Sequence, residues 1–371
     1  MGTQANPTKK KIFIVLTSLS IGGAQQQLIR QLPRFDAARF EIHVMALFAC
    51  VDARSLADDV PPHIQVHQLR FSGFFDLWSV FGLCRALRAI QPDLVMTSLF
   101  FSNTIMRIIQ PFFGYPVITR EHNTYIHKGV VAIWTDRVLA RVSKKIVAVS
   151  EEVADFTSAQ EHIPREKFLV IHNGIDSAAL DTTHSIDRSS LRIAADAHLC
   201  LFVGRFAAQK NVPLLLEGFA QFCKAHTSWV LVLVGDGPIR QTLEVHAQSL
   251  GITDQVRFVG EQRQVYPYYQ IADCLVSTSH IEGMSNTHLE ALAHGVPVLT
   301  TPTGGTSALI VEGETGFIVP AYTPAAVAET LHTFTQHMSN NMRQAAKKKA
   351  QEFTIEKTVQ QYEQLFETYA R

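Results

Sequence analysis

Two carboxylates, Glu282 and Glu290, flank a predicted helix start in the stretch HIEGMSNTHLEALAHGVPVL, residues 280–299. One interpretation of this stretch is purely structural. Thr287 followed three residues later by Glu290 matches the Ser/Thr-x-x-Glu capping box, in which the glutamate bonds a backbone N–H group. Glu282 is then a solvated loop residue.

A second interpretation makes the same stretch a ligand site. If Ser285 or Asn286 is the N-cap, Glu290 leans toward the start of the helix, because helical side chains point that way. Glu282 then stands before the helix, next to the exposed N–H groups of residues 283–285. Carboxylates accept hydrogen bonds from hydroxyls, and N–H groups at a helix start attract phosphate. Such a site suits a sugar joined to a ribose through a diphosphate.

Two further groups could bind phosphate. Arg205 and Lys210 lie in VGRFAAQKN with no acidic residue between them, and a guanidinium beside an ammonium suits a diphosphate. The alternative is a solvated basic loop. Gly22 and Gly23 precede a predicted helix at 24–34, where glycines let backbone N–H groups approach a phosphate. The alternative there is a tight turn, and no Gly-Lys-Ser/Thr follows as in a P-loop.

A histidine at another strand end could bond a hydroxyl or carry a proton. His122 lies between Glu121 and Asn123 just after a predicted strand, and Asn173 follows a later one. The other fifteen histidines show no metal-ligand spacing, and the chain has neither His-Glu-x-x-His nor Asp-x-Asp. The sequence therefore predicts a mechanism without a metal and without a cofactor.

Short apolar runs alternate with longer amphipathic stretches, which predicts buried parallel strands connected by helices. The runs lie at 11–17, 40–47, 93–98, 116–119, 145–150 and 168–173, and again at 199–204, 229–235, 255–260, 272–278, 296–301 and 315–320. A polar, strandless stretch separates the two series. We expect an α/β protein with two doubly wound Rossmann-like domains facing a central cleft, where ligands meet the carboxyl ends of the strands.

The expected domains follow from this pattern. An N-terminal domain spans 1–180, a linker 181–197 and a C-terminal domain 198–352. The last segment, 353–371, is a predicted helix.

Composition narrows the class of protein. The chain has 371 residues, 47% of them apolar and 18% charged, with a formal net charge of zero, so we expect neither disorder nor bulk nucleic-acid binding. The residues up to 185 carry 19 basic and 16 acidic side chains, against 14 and 17 afterwards, a tilt compatible with docking on an anionic membrane. The five scattered cysteines predict reduced, buried thiols.

Membrane contact has one candidate segment. The stretch FSGFFDLWSVFGLCRALRAI, residues 71–90, combines five aromatic residues with Arg85 and Arg88 on a predicted helix. It could lie on a membrane, or it could be a core-facing helix of the parallel sheet. The apolar run near the N-terminus ends in Gly-Gly and predicts a first strand better than a signal peptide. The uncharged stretch at 291–311 is interrupted by prolines and glycines. We expect a cytoplasmic protein, with peripheral contact at the inner face of the membrane as a further hypothesis.

Over nearly its whole length the chain resembles the retaining GT-B glycosyltransferases of family four. The matching pieces are GGAQQQL, EHN, IVAVSEEV, VIHNGID, VGRFAAQKNVPLLLEGF, LVLVGDGPIR, VRFVG, STSHIEGMSNTHLEALAHGVPVL and TGGTSALIVEGETGFIV, in this order. One departure is Gln25, where many relatives have glutamate after Gly-Gly-Ala.

The resemblance implies a role for each candidate. Arg205 and Lys210 would bind the donor diphosphate, with Gly22 and Gly23 contributing backbone contacts. Glu282 would bind the donor sugar near the reacting carbon, and Glu290 would hold the ribose hydroxyls. The remaining implied contacts with the sugar and phosphates come from His122, Asn173, Gly283, Met284, Ser285 and Asn286. In such enzymes the final helix usually crosses back to the first domain.

The implied reaction moves a hexose or N-acetylhexosamine from a nucleotide diphosphate sugar, most simply UDP-linked, to a hydroxyl of a glycan or lipid-linked acceptor. It keeps the anomeric configuration and needs no metal. Two alternatives remain open, a sugar-nucleotide epimerase of the same fold and a non-enzymatic sugar-nucleotide binder. An NAD-dependent enzyme is disfavoured, because no Gly-x-Gly-x-x-Gly follows the first strand.

Overall fold

The computed structural model describes residues 9–50, 55–176, 180 and 186–371. The chain divides into two compact units, residues 1–174 with 355–371 (unit 1) and residues 175–354 (unit 2). Of the predicted linker, 181–185 lies outside the described residues. Its remainder contains a short 3-10 helix at Arg188–Leu191.

Unit 1 is built on a seven-stranded parallel sheet in the order β3-β2-β1-β4-β5-β6-β7. Its strands are β1 Lys10–Leu16, β2 Phe40–Ala46, β3 Gln65–Gln68, β4 Leu94–Ser98, β5 Val117–Glu121, β6 Ser143–Ala148 and β7 Phe168–Val170. The inner strands are buried on both faces, which is why they are continuous apolar runs and not alternating ones.

The sequence analysis missed β3. Its residues, QVHQ, are mostly polar and exposed, and the strand pairs only with β2 at the edge of the sheet. Because an edge strand buries little surface, it carries no apolar run that periodicity could detect.

Helices cover both faces of this sheet. They are α1 Gly23–Gln31, α2 Leu77–Ile90, α3 Phe100–Phe113, α4 Val130–Leu139 and α5 Glu151–Glu161. Leu28 of α1 packs on one face with Ile12 and Ile14, whereas Leu83 of α2 and Met106 of α3 pack on the other face with Phe13 and Val15.

Unit 2 is built on a six-stranded parallel sheet in the order β10-β9-β8-β11-β12-β13. Its strands are β8 His198–Val203, β9 Trp229–Val234, β10 Val256–Gly260, β11 Cys274–Ser277, β12 Val298–Thr300 and β13 Gly316–Ile318. Its helices are α6 Val212–Cys223, α7 Arg240–Ser249, α8 Tyr266–Ile271, α9 Asn286–Ala293, α10 Thr306–Leu309, α11 Pro324–His337 and α12 Asn340–Ala350. The prediction of two doubly wound parallel sheets is confirmed.

The last helix, α13 Ile355–Tyr369, belongs to unit 1. Its apolar side enters the same core as α1, where the Phe366 ring lies 5.5 Å from that of Phe35. Arg120 of β5 stacks on Tyr362 of α13, with its guanidinium carbon 4.8 Å from the centre of the ring.

All five cysteines are free thiols. Cys200, Cys223 and Cys274 are buried as expected, whereas Cys50 and Cys84 are only half-buried. In the part of the chain that the structure describes, no helix has the length and hydropathy needed to span a lipid bilayer.

Candidate functional site

The order of the strands places a crevice in unit 2. The chain proceeds outward from β8 through β9 to β10 and then returns to β11 on the other side of β8. The loops after β8 and β11 therefore leave the sheet in different directions, and ligands of doubly wound sheets bind at this point. Lys210 lies in the loop after β8, and Glu282 lies in the loop after β11.

These two predicted residues are brought into direct contact. The Lys210 ammonium forms an ion pair with Oε1 of Glu282, and the Ser279 hydroxyl donates to the same oxygen at 2.9 Å. The two side chains are 21% and 12% exposed, so the pair is partly shielded from water but still within reach of a ligand. The proposed phosphate-binding ammonium and the proposed sugar-binding carboxylate thus satisfy each other in this structure.

Hydrogen bonds tie the two loops together. Gln209 donates through Nε2 to the carbonyl of Ile281 at 2.7 Å, and the N–H of His280 donates to the carbonyl of Gln209 at 2.9 Å. The Thr278 hydroxyl donates to the carbonyl of Asn211 at 2.9 Å. Because the loops are fixed to each other through the backbone, the position of Lys210 relative to Glu282 is set before a ligand arrives.

Arg205 stands exposed at the start of the same loop. Among the described residues none pairs with its guanidinium, so its donors point to solvent. The backbone beneath it is fixed by Gly235, which has φ +146° and packs so closely that an added Cβ would lie 1.9 Å from the carbonyl oxygen of Gly204. Only glycine fits there, and this contact holds the ends of β8 and β9 together.

The start of α9 decides between the two interpretations of the opening stretch. Ser285 is the N-cap in extended conformation and the helix begins at Asn286, so Thr287 is already its second residue. The capping-box interpretation required Thr287 at the N-cap and is wrong. The Ser285 hydroxyl lies 2.9 Å from that of Thr287 and makes no cap bond to the backbone.

The segment before α9 is held against a glycine pair. The N–H of Gly304 donates to the carbonyl of Glu282 at 3.1 Å, and a Cβ on Gly304 would lie 2.5 Å from the carbonyl oxygens of both Glu282 and Gly283. Met284, which follows, is buried. The backbone from Glu282 to the helix start is therefore positioned by close packing.

Glu290 lies inside the helix and is only 4% exposed. Its Oε2 accepts a hydrogen bond from the Tyr269 hydroxyl at 3.2 Å, and the Tyr269 ring stacks on His294 with 5.3 Å between ring centres. Tyr269 was not a predicted site residue. Its position in a short helix, after a proline, gave no signal that it would meet a carboxylate twenty-one residues later.

His288, between the two glutamates in sequence, was also missed. It is 1% exposed, and its Nε2 is buried with no hydrogen-bond partner among the described residues. Burial lowers the pKa of His288 to about 4, with the Glu282 carboxylate opposing and the Lys210 ammonium adding to the shift. The ring is therefore neutral near pH 7. Its place in the first turn of α9 was a signal that the sequence analysis did not use.

Unit 1 has its own switch point between β1 and β4. Gly22 is the N-cap of α1 and Gly23 its first residue. Gln25, the departure from the family pattern, is buried and donates through Nε2 to the carbonyl of Ser18 at 3.4 Å. A Cβ on Gly22 would lie 2.6 Å from the Gln25 carboxamide oxygen, so this side chain packs under the glycine turn.

His122 follows β5 and is partly exposed, but its Nε2 is buried and has no partner in the described part of the chain. Burial and the positive charge of Arg120 hold the pKa of His122 well below its ordinary value. A neutral imidazole at this position can accept or donate a hydrogen bond without carrying charge.

Asn173 is buried, and the loop that it begins is fixed by Gln27 of α1, which donates through Nε2 to the carbonyl of Gly174 at 3.1 Å. The Gln27 carboxamide oxygen accepts from the N–H of Gly174 at 3.3 Å. Sequence analysis did not single out Gln27, because one polar residue on a helix gives no sign of its tertiary partner.

The carboxyl edge of β5 also carries a buried charged network. Asn103 donates through Nδ2 to Oε1 of Glu121 at 3.0 Å, and burial raises the pKa of Glu121 to about 8. Lys128 forms ion pairs with Asp136 and Glu161.

The same network includes an arginine. Arg107 of α3 pairs with Asp136 of α4, and both side chains are less than 5% exposed. Together with Lys128, these ion pairs anchor the loop that carries His122 to the helices on that face of the sheet. The sequence analysis had no means to detect them, because charged residues on helices are usually solvated.

Comparisons with known proteins agree with this architecture. Residues 21–179 match the family model "Glycosyltransferase Family 4", and residues 184–353 match "Glycosyl transferases group 1". A crystal structure of Anabaena Alr3699/HepE in complex with UDP and glucose superposes with a TM-score of 0.83, covering 97% of this chain and 100% of that one. At 21% identity this likeness shows the fold alone.

Two curated relatives cover most of the chain. The chain is 29% identical to D-inositol 3-phosphate glycosyltransferase of Streptomyces avermitilis, over 73% of this chain and 65% of the relative. It is 25% identical to GalNAc-alpha-(1->4)-GalNAc-alpha-(1->3)-diNAcBac-PP-undecaprenol alpha-1,4-N-acetyl-D-galactosaminyltransferase of Campylobacter jejuni, over 91% of this chain and 94% of the relative. The chain spans between 27% and 65% of the length of the first curated relatives that it matches.

Proposed function

Because the chain belongs to the family four, group 1 glycosyltransferases, we propose that it transfers a hexose or N-acetylhexosamine from a nucleotide diphosphate sugar, UDP-linked, to a hydroxyl of a glycan or lipid-linked acceptor with retention of configuration. The observation that carries the proposal is the ion pair between Lys210 and Glu282 at the switch point of unit 2, with the exposed guanidinium of Arg205 on the same loop. Two cations can bind the diphosphate of a sugar nucleotide, and a carboxylate can accept hydrogen bonds from its sugar hydroxyls.

Donor binding would proceed by exchange of partners. The diphosphate takes the place of the Glu282 carboxylate on the Lys210 ammonium and gains a bidentate contact from Arg205. The carboxylate released from Lys210 then accepts hydrogen bonds from the hydroxyls of the donor sugar. One ion pair is replaced by another, so no charge is left buried without a partner.

The transfer step would follow the front-face course usual in such enzymes. The acceptor oxygen attacks the anomeric carbon on the face from which the diphosphate leaves, the bond from that carbon to the diphosphate oxygen breaks, and the acceptor proton passes to the leaving phosphate. Arg205 and Lys210 stabilise the charge that develops on the diphosphate, a term that is often the largest in catalysis. No metal or cofactor is part of this proposal.

Other residues keep the roles that the resemblance implies. Glu290 would hold the ribose hydroxyls, and the backbone of Gly283, Met284, Ser285 and Asn286 would meet the sugar and phosphates. The roles of Gly22, Gly23, His122 and Asn173 in unit 1 are part of the same proposal. The names of two similar proteins support a UDP-sugar and a lipid-linked acceptor. One was crystallised in complex with UDP and glucose, and the other is named as an N-acetylgalactosaminyltransferase for an undecaprenol-linked glycan. We place the reaction in the cytoplasm, at the inner face of a membrane.

A donor screen tests the proposal. We expect one or more UDP-sugars to raise the unfolding temperature, with GDP- and ADP-sugars having smaller effects. Release of UDP should then depend on an added acceptor, and NMR of the product should show the anomeric configuration of the donor. Chelation of divalent ions should leave the rate unchanged.

Two outcomes would favour the alternatives. Conversion of a UDP-sugar without any acceptor would indicate an epimerase. Thermal protection by UDP-sugars without UDP release, across a broad panel of lipid-linked and free glycans, would indicate a non-enzymatic binder.

A further inference from the structure

The helix α2 of unit 1 has two unlike sides. Leu83, Leu87 and Ile90 are buried against the sheet, which accounts for the core-facing interpretation of this segment. On the other side Trp78 is 87% exposed, and Phe75, two residues before the helix begins, is 95% exposed. Large apolar side chains this exposed are unusual on a folded unit and indicate an interaction surface.

The neighbouring helices continue this exposure. In α4, Val130 and Val131 are 78% and 81% exposed, and Trp134 is 65% exposed. In α3, Phe112 is 84% exposed. We call the set the aromatic surface; its members are Phe75, Leu77, Trp78, Phe81, Phe112, Val130, Val131 and Trp134.

Contacts between the helices show that the elements carrying these residues are neighbours. Near the start of α2, the ring of Phe74 lies 4.2 Å from that of Phe101 in α3. At the other end of α2, the guanidinium carbon of Arg88 lies 5.8 Å from the ring centre of Phe113. The buried pair of Arg107 and Asp136 joins α3 to α4. The three helices therefore lie side by side on one face of the sheet.

The charges that these helices present at the surface are mainly positive. Arg85 and Arg88 of α2 and Arg137 of α4 are exposed, and Arg141 follows α4 directly. Within these helices the acidic residue is Asp136, which is buried against Arg107, and the N-cap of α2 adds Asp76, a partly exposed carboxylate that accepts from the N–H groups of Ser72 and Ser79. Apolar side chains interspersed with arginines that outnumber the carboxylates at this surface are complementary to a lipid bilayer that carries negative headgroups.

We propose that the aromatic surface docks unit 1 on an anionic lipid bilayer, with Trp78 and Trp134 inserted at the level of the headgroups and the arginines bound to lipid phosphates. Tryptophan is suited to this depth, because its ring is apolar while its N–H can still bond to water or headgroups. This inference rests on the proposed function in one respect: docking would hold the enzyme beside a lipid-linked acceptor. Binding to vesicles needs neither donor nor acceptor, so it is tested separately.

The tryptophans provide a direct measurement. The chain has three, and the third, Trp229, is 3% exposed in the core of unit 2. Titration with vesicles of phosphatidylcholine containing about 30% phosphatidylglycerol should shift the emission to shorter wavelength, and brominated lipids should quench it. The affinity for vesicles of phosphatidylcholine alone should be lower by roughly tenfold or more. About 0.5 M salt should reduce this difference between anionic and neutral vesicles.

Variants separate the contribution of the tryptophan rings to vesicle binding from that of the arginine charges. Trp78→Ser with Trp134→Ser should weaken co-sedimentation with the anionic vesicles by roughly tenfold or more, because two inserted rings are lost. Arg85→Gln with Arg88→Gln should remove most of the preference for anionic lipid. Val245→Ser, at a 59% exposed apolar residue of unit 2, is the matched control and should bind as the unchanged chain does. Thermal protection by UDP should be the same for all of these variants.

Three results would overturn the proposal. One is absence of co-sedimentation of the unchanged chain with anionic vesicles, and another is undiminished binding by the double tryptophan variant. The third is a concentration-dependent dimer that the same tryptophan substitutions abolish while vesicles fail to bind, which would assign the surface to a second copy of the chain. Loss of vesicle binding with normal transfer to a short soluble acceptor would support docking, and a failed transfer assay with intact vesicle binding would count only against the proposed reaction.

Discussion

The ammonium of Lys210 is bound to the carboxylate of Glu282, although seventy-two residues separate them in the chain. The contact exists because β8 and β11 are neighbours in the sheet while the chain between them makes β9 and β10. It couples the two groups that the proposed function assigns to the diphosphate and to the sugar of the donor.

This coupling predicts opposite effects on nucleotide binding. Lys210→Ala should weaken UDP binding by roughly 10- to 100-fold, because a charged hydrogen bond is lost. Glu282→Ala should leave UDP binding equal or slightly tighter, since the ammonium loses a competing partner, yet lower the rate of transfer by roughly 100-fold or more. Calorimetry and UDP-release assays measure the two effects.

The control for this prediction is Glu314→Ala, at an exposed glutamate of the same unit. A double variant should show that the effects of Lys210 and Glu282 are not additive, as expected for residues in contact. If Glu282→Ala weakened UDP binding as strongly as Lys210→Ala does, exchange of partners would be refuted.

Glu290 and Tyr269 allow binding to be separated from stability. Tyr269→Phe removes the hydroxyl that donates to Glu290 and should cost about 1 kcal/mol of unfolding free energy, with a small change in affinity for UDP. Glu290→Ala should weaken UDP binding by roughly tenfold or more, because the ribose loses its acceptor. Denaturant titration and calorimetry on both variants decide the point, and a Glu290→Ala protein with normal UDP affinity would leave Glu290 with a structural role only.

His288 predicts loss of stability in acid. Its folded-state pKa is lowered to about 4, below the ordinary value near 6.5, so the unfolded chain binds the proton first as pH falls. The neutral His288 ring contributes on the order of 3 kcal/mol to the free energy of unfolding. This contribution is complete above about pH 6.5 and is lost as the pH falls from there to about pH 4.

We expect the variant His288→Gln to lack this part of the pH dependence in denaturant titrations between about pH 4 and 7. His337→Gln, at an exposed histidine of α11, should keep it. Equal slopes for His288→Gln and the unchanged chain would contradict a neutral buried ring.

Glu121 of unit 1 predicts a pH dependence of stability that is opposite in sign to that of His288. Its folded-state pKa is raised to about 8, chiefly by burial, so the carboxyl stays protonated while the unfolded chain releases its proton near pH 4.5. The contribution of the protonated Glu121 carboxyl to the free energy of unfolding is complete below about pH 4.5 and is lost as the pH rises to about 8. Glu121→Gln keeps the oxygen that accepts from Asn103 and should be more stable than the unchanged chain at pH 8, by on the order of 2 kcal/mol, with little gain at pH 5.

Denaturant titration at the two pH values measures this difference. The matched substitution Glu166→Gln, at an exposed glutamate, should change stability at neither pH. A Glu121→Gln protein that is less stable at both pH values would show instead that Glu121 is ionised and paired.

Much of the architecture was predictable because it depends on local patterns. The inner strands are buried on both faces, so each is an apolar run, and their bounds differ from the predicted ones by a few residues. The edge strand β3 escaped detection because it is polar and exposed. The residues of the site were predictable as candidates, since ligands meet the ends of parallel strands and the polar residues there are few.

The sequence by itself determined two doubly wound sheets, the family, and the strand ends that carry Arg205, Lys210, Glu282 and Glu290. Only the tertiary structure decided that Ser285 and not Thr287 is the N-cap of α9, that Lys210 is already bound to Glu282, and that Tyr269 meets Glu290. Apolar periodicity is a property of short stretches of chain, whereas these contacts join segments that only the order of strands brings together. For the same reason the sequence named residues 71–90 as a membrane candidate but left a core-facing helix as the alternative, because which side of α2 is exposed depends on the sheet and on the neighbouring helices.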